Sequence, residues 1–318
     1  MRRPVGMVFG GCIGAGVAVQ ARVNGELGQR LHDGVAAAVV SFGTGLVLVG
    51  VVCLASPRLR SGVGRVRLAV RLGELRWWQL LGGLCGAAFV ACQGVAVAAI
   101  GVTAFTVSAV AGQLVSSLVV DRLGLGPGGR TPVTAWRIGG AVVALGAVGL
   151  AALDRRSSGG ASSMPEFVRS VPVGVLIVLP VIAGVGVAWQ QAVNGRVGAV
   201  GGPASATLGN FVTGLAGLLL VEVALRWGRG LPSGFPREPW LYLGGVLGVV
   251  FIALAVVTVR WIGVLLLGLT SVAGQLLGSI VLDVLAPTGT GLSVAAVAGC
   301  ALTFVAVAIA ARSRDRAA

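Results

Sequence analysis

The chain has no lysine, one histidine (His32) and one tyrosine in 318 residues, and only 11% of its residues are charged. Each scarcity closes a class of function. Without lysine there is no Walker A phosphate grip and no pyridoxal Schiff base. With one histidine there is no zinc centre built on several imidazoles. The five cysteines (Cys12, Cys53, Cys85, Cys92 and Cys300) fall in apolar runs without a CxxC pair. They read as small hydrophobes, so neither disulfides nor a metal site follow. HExxH and GxSxG are absent too, and no pair of carboxylates falls inside an apolar run, so the chain is not expected to be an enzyme and no cofactor or metal is called for. GLGPGG at Gly124 to Gly129 matches GxGxxG only formally, because no strand precedes it and Pro127 interrupts it.

What the chain has instead is apolar length. Hydrophobic residues make up 56% of it and the mean hydropathy is +0.96. A soluble domain is about one-quarter charged, so this surface must face lipid, and the bilayer is its first partner. The net charge of +14 is carried entirely by arginines lying between apolar runs. That is the pattern of the positive-inside rule, and nucleic acid is not expected as a partner.

The chain repeats itself. VAGQLVSSLVVD (Val110 to Asp121) returns as VAGQLLGSIVLD (Val272 to Asp283). VAVQARVNGELG (Val17 to Gly28) returns as VAWQQAVNGRVG (Val187 to Gly198), SFGTGL (Ser41 to Leu46) as NFVTGL (Asn210 to Leu215), and AIGV (Ala99 to Val102) as WIGV (Trp261 to Val264). Residues 1–154 form the first repeat, 155–170 a polar linker rich in Ser and Gly, and 171–318 the second repeat. Each repeat has room for five membrane spans, near 5–21, 35–55, 78–99, 102–123 and 136–153 in the first. Pro57 to Arg76 reads as a basic loop and Glu26 to Asp33 as a polar link. Gly6, Gly10, Gly14 and Ala18 share one helix face and invite close approach by another helix.

Five spans per repeat is an odd number, so the second repeat enters from the opposite side and the two are inverted. The fold class expected is an all-α membrane protein of ten transmembrane helices in two inverted five-helix repeats. Sixteen arginines fall on the side of the N-terminus and eight on the other. Both termini are therefore expected in the cytoplasm, with the chain a multi-pass protein of a bacterial plasma membrane.

In order and doubling, these motifs resemble the drug/metabolite transporter superfamily, and within it the YdcZ-type branch. The residues that carry the resemblance are Asn24 to Gly28, Ser41 to Gly45, Trp78 to Gly86 and Gly112 to Asp121, with Asn194 to Gly198, Asn210 to Gly214, Trp240 to Gly248 and Gly274 to Asp283 in the second repeat. Ser41 against Asn210, Ser116 against Gly278, and Gly25 in place of Ala depart from the pattern. The resemblance implies a small-molecule carrier, commonly an exporter, with a fused pair of five-span units. The related small multidrug efflux proteins depend on a Glu deep in the first span, which this chain lacks.

Polar side chains inside apolar spans are costly and face the bundle interior. Gln20, Asn24, Gln113 and Ser117, with their counterparts Gln190, Asn194, Gln275 and Ser279, are the candidate substrate pathway. The competing reading makes the same amides interhelical hydrogen-bonding groups. Asp121 and Asp283 lie at span ends, where they either exchange protons or cap helices. Arg22 and Arg196 flank the Asn motifs; snorkelling to headgroups is their expected role, and holding an anionic substrate the other. The chain thus reads as a secondary transporter of a small-molecule substrate, coupled to a proton or cation, with a non-transporting membrane scaffold as the alternative and a homodimer left open.

Overall fold

In a computed structural model, residues 2–31, 33–152, 173–226, 234–285 and 294–312 are described, leaving out the side chains of 93–104, 151–152, 173–177, 225–226 and 283. His32, the linker at 155–170, and the side chains of Gln93 and Asp283 therefore lie outside the described residues. Among the described residues the chain is helical, without strands. The helices are α1 (Arg2–Leu31), α2 (Gly34–Ala55), α3 (Pro57–Arg71), α4 (Gly82–Leu123), α5 (Ala135–Ala152), α6 (Val173–Gly201), α7 (Pro203–Arg226), α8 (Gly244–Leu285) and α9 (Val294–Ala311).

α4 and α8 have 42 residues each. A straight helix of that length would reach about 60 Å, twice the hydrocarbon thickness of a bilayer. Both fold back on themselves. Gly263 has φ 79° and ψ 175°, a conformation reserved for glycine, and it divides α8 into two arms. Gly6 of α1 lies against Ile262, Gly10 against Thr270 and Gly14 against Gln275, while Gly16 meets Phe251 and Gln20 meets Gly248. Along α1, therefore, one arm climbs while the other descends. In α4 the rings of Phe89 and Phe105 touch, with centroids 5.5 Å apart, although a straight helix would hold them about 24 Å apart. Each long helix is thus two spans. With α1, α2, α5, α6, α7 and α9 they make ten.

The halves interlock. α1 packs on the α8 hairpin of the second half, α6 packs on the α4 hairpin of the first, and α5 packs on α9. The contacts recur with the repeat offset. A Cβ on Gly14 would overlap the Ser271 carbonyl oxygen, and one on Gly184 the Ala109 carbonyl oxygen. A Cβ on Gly83 would strike the Asn210 carbonyl and one on Gly245 the Ser41 carbonyl. Phe42 and Phe211, also a repeat pair, meet each other with centroids 5.2 Å apart. A pseudo-two-fold axis passes between those two rings and relates the halves. The small-residue stripe of α1 finds its partner in the other half, because only there does a helix backbone reach it. In lipid this close packing supplies what a water-driven hydrophobic core supplies elsewhere.

Two boundaries differ from the sequence reading. The polar link from Glu26 is helical as far as Leu31, since α1 at 30 residues outruns the hydrocarbon and carries Glu26 and Arg30 beyond it. The basic loop after α2 is largely a helix. Pro57 starts α3, Gly62 and Val66 pack toward Gly201 and Ser205, and Ala69 is buried on the same face. Its high arginine content concealed that apolar face.

Both termini lie at one end of the bundle, where the Arg3 guanidinium donates to the Ala311 carbonyl. α3, the turn at 201–203, the Gly263 break and the 124–134 loop share this end, and Arg65 bonds the Val200 carbonyl there at 3.1 Å. At the opposite end Arg30 pairs with Glu26 at 3.0 Å and with Glu238. A hydrogen bond from its own backbone, then the Arg30 guanidinium, holds the Glu238 carboxyl below its ordinary range.

Candidate functional site

Helix geometry aims the amides. On the second arm of α4, Val115 and Val119 are 62% and 50% exposed and mark the lipid face. At about 100° per residue, Gln113 points roughly opposite them. On the second arm of α8, Leu277 and Val281 mark the lipid face and Gln275 points away in the same manner. Both glutamines are half-buried. Neither side-chain amide makes a hydrogen bond within the described protein, and neither is sealed from solvent. Gln113 and Ser117 look across at Gly268 of the other half, where a Cβ would stand 3.6 Å from Gln113 Nε2 and 3.7 Å from Ser117 Oγ.

The remaining candidates fall into two clusters at opposite ends of the bundle. At the end holding the termini, Gln190 Nε2 and Asn194 Nδ2 both donate to Asn210 Oδ1, at 2.9 and 2.7 Å. Asn194 abuts Gly82, where a Cβ would come within 2.6 Å of its Oδ1. At the other end, Gln20 Nε2 donates to the Gly244 carbonyl at 2.7 Å. Asn24 crowds the same glycine, and its Oδ1 is buried without a partner. The clusters are repeat-related, but Ser41 stands where the second half has Asn210 and is too short to bridge both amides. The Nδ2 of Asn210, a residue only 1% exposed, is itself unpartnered. Ser117 donates to the Gln113 carbonyl one turn back at 2.6 Å, which satisfies it within its own helix. Among the described residues no hydrogen bond engages the Ser279 side chain.

Asp121 occupies the most connected position. It is 4% exposed. Its Oδ1 accepts from the Val264 amide at 3.0 Å, its Oδ2 accepts from the Leu265 amide at 3.1 Å, and its carboxylate is paired with the Arg137 guanidinium. Sequence position places it at the end of its own span. The fold uses it at the start of another: the two amides belong to the first turn after Gly263, where no helical carbonyl precedes them. Asp121 thus ties the α4 hairpin, the α8 break and α5 together. Asp283 is its repeat counterpart in sequence, where Gly299 stands in place of Arg137, and its side chain lies outside the described residues.

Arg22 and Arg196 do not reach for headgroups. Arg196 donates to the Gly124 and Leu125 carbonyls at 2.7 and 2.8 Å, finishing the C-terminus of α4, and Arg22 donates to the Leu282 carbonyl at 3.3 Å. Arg137, Asn210 and Gly263 were not among the candidate site residues, although Asn210 stood out as the departure from Ser41. The roles of Arg137 and Asn210 become visible only once their partners from distant segments are in place. Gly263 had a signal, since it repeats Gly101 within the IGV pair. Among the described residues no group of His, Cys, Asp and Glu could hold a metal ion.

A bundle of ten spans, inverted about an axis and wholly helical where described, is a membrane protein of the drug/metabolite transporter type. A solved crystal structure shares the fold, with a TM-score of 0.64 over 98% of this chain and 97% of its own, at 18% identity. The chain belongs to the YdcZ family, whose description reads "Putative inner membrane exporter, YdcZ" and which matches residues 5–150 and 175–309. No curated protein matches it. Its family is one of membrane exporters and not of enzymes.

Proposed function

We propose that the protein is a secondary transporter that exports a small organic molecule by alternating access between its two inverted repeats, residues 1–154 and 171–318. The observation that carries this is the pair Gln113 and Gln275. Two unsatisfied, interior-facing amides at repeat-related positions are costly in a lipid-embedded bundle unless water or a passing solute meets them. The amide clusters at the two ends then act as the two gates. One is bridged by Asn210 and the other, with Ser41, is not. A two-fold pair of gates with unequal closure is what a carrier needs to rest with one side shut. The arginine-rich end, holding both termini, faces the cytoplasm.

The substrate is a molecule that two carboxamides can bind, with both hydrogen-bond donors and acceptors. Asp121 is committed to two amides and a guanidinium, so a coupling proton reaches it only if that assembly opens. The test is flux in proteoliposomes across a panel of metabolites and toxic compounds, with Gln113→Ala and Gln275→Ala compared with the parent. A large loss of flux in both variants, with thermal stability kept, is the expected result. Unchanged flux in both removes the pair from the pathway. No protein-dependent flux for any compound favours a membrane scaffold.

A further inference from the structure

Between α2 and the α4 hairpin stands the arginine helix α3. Its surroundings fix its position. α2 ends at Ala55, and Ser56 is extended at φ −115° and ψ 112°, so the chain turns before α3 begins. Six residues after α3 ends, Trp77 stands 68% exposed at the entry of the next span. An element bracketed by a span's exit and an aromatic belt lies at headgroup depth.

The faces of α3 divide its labour. Gly62 and Val66 pack against the turn at 201–205, Ala69 is buried on the same face, and Arg65 donates to the Val200 carbonyl at 3.1 Å. On the opposite side Arg60, Arg67 and Arg71 fall within about 40° of one another around the helix. Leu68 and Leu72 follow in the next sector, 55% and 63% exposed, and Arg58 lies beyond them. Arg58, Arg60, Arg67 and Arg71 are all exposed, and among the described residues none pairs with a carboxylate. Arg67 and Arg71 are four apart, a like-charge spacing that weakens a helix by itself. An exposed stripe of like charge attracts negative charge from its surroundings. Two exposed leucines beside it call for an apolar phase at the same depth.

We propose that α3 binds anionic phospholipid, with the headgroup phosphates on Arg60, Arg67 and Arg71 and the acyl chains beneath Leu68 and Leu72. Phosphate oxygens match the planar guanidinium fork, and the leaflet supplies apolar phase and charge together. The bound lipid is thereby tied to the turn joining α6 and α7, because the buried face of the same helix rests on it. The binding stands whether or not the protein transports.

The test uses the purified full chain in neutral detergent, with phosphatidylglycerol and phosphatidylcholine of matched acyl chains, read by native mass spectrometry. Phosphatidylglycerol should be retained in preference. R60Q/R67Q/R71Q should weaken its retention by roughly 100-fold, from roughly fivefold per charge at an anionic surface. R60K/R67K/R71K should keep most of the retention. Should the neutral variant fail to fold, the parent protein decides: raising salt about tenfold must weaken retention of phosphatidylglycerol and leave that of phosphatidylcholine unchanged. Equal retention of the two lipids, salt-insensitive retention of phosphatidylglycerol, or parental retention by a folded neutral variant overturns the proposal.

Discussion

Replacing Asp121 by Asn isolates the assembly that joins the two repeats at the terminal-bearing end. In the parent, its carboxylate accepts from the Val264 and Leu265 amides at 3.0 and 3.1 Å and is paired with Arg137. Asn offers one acceptor where Asp offers two, so at least one amide loses its partner and the buried guanidinium loses its counter-charge. Breaking a buried pair by removing one member costs about 3–5 kcal/mol. Arg137→Met should cost about as much, because it strands the carboxylate. The double variant has no stranded charge. It should lie within about 1 kcal/mol of either single variant, leaving a coupling energy of about 3 kcal/mol. Chemical denaturation in mild detergent measures the cycle. Hydrogen exchange at Val264 and Leu265 localises it, since a loss of about 3 kcal/mol speeds exchange by roughly 100-fold at those amides if they open locally. Additive costs, or amide protection unchanged in Asp121→Asn, would refute the pairing.

The remaining predictions concern the repeat axis, the bridged gate and the opposite end. Gly14→Ala and Gly184→Ala each force a methyl group into a backbone carbonyl of the other half. Each should cost about 1–3 kcal/mol by overpacking, and the two losses in thermal stability should be alike; a cost at one site only would break the proposed equivalence. Asn210→Ala strands the donors of Gln190 and Asn194 and should cost about 1–2 kcal/mol, read as a fall in melting temperature, whereas Ser41→Ala at the unbridged counterpart should cost less. The folded-state pKa of Glu238 is depressed, so the stability that it contributes is present above the ordinary carboxylate range and lost as pH falls through the depressed value. A melting-temperature profile in low salt should show an acid loss that shrinks in Glu238→Gln; identical profiles would deny the carboxylate any part.

Much of the architecture could be read from the chain because lipid imposes it. A backbone in hydrocarbon must satisfy its own hydrogen bonds, so apolar runs of span length become helices, and an odd count per repeat inverts the second copy. The doubled motifs also drew attention to Gln113 and Gln275, since amides kept at matching places in both apolar copies stand out without any structure. The second member of the IGV pair holds Gly263, where the α8 hairpin turns.

Which helix meets which was decided only in three dimensions. Asp121 reads as the end of one span, yet it caps the start of another that lies 143 residues away in the chain. Arg137 reads as one loop arginine among many and proves to be its counter-charge. Gln190 and Asn194 have the same spacing as Gln20 and Asn24, but Asn210 bridges the first pair and Ser41 cannot bridge the second. Such differences depend on side-chain length and on which carbonyls, amides and charges are left exposed once the halves interlock. The periodicity of an apolar sequence states which face of a helix is buried. It says nothing of what will be found there, because the partner comes from a segment whose approach is fixed only by the packing of the whole bundle.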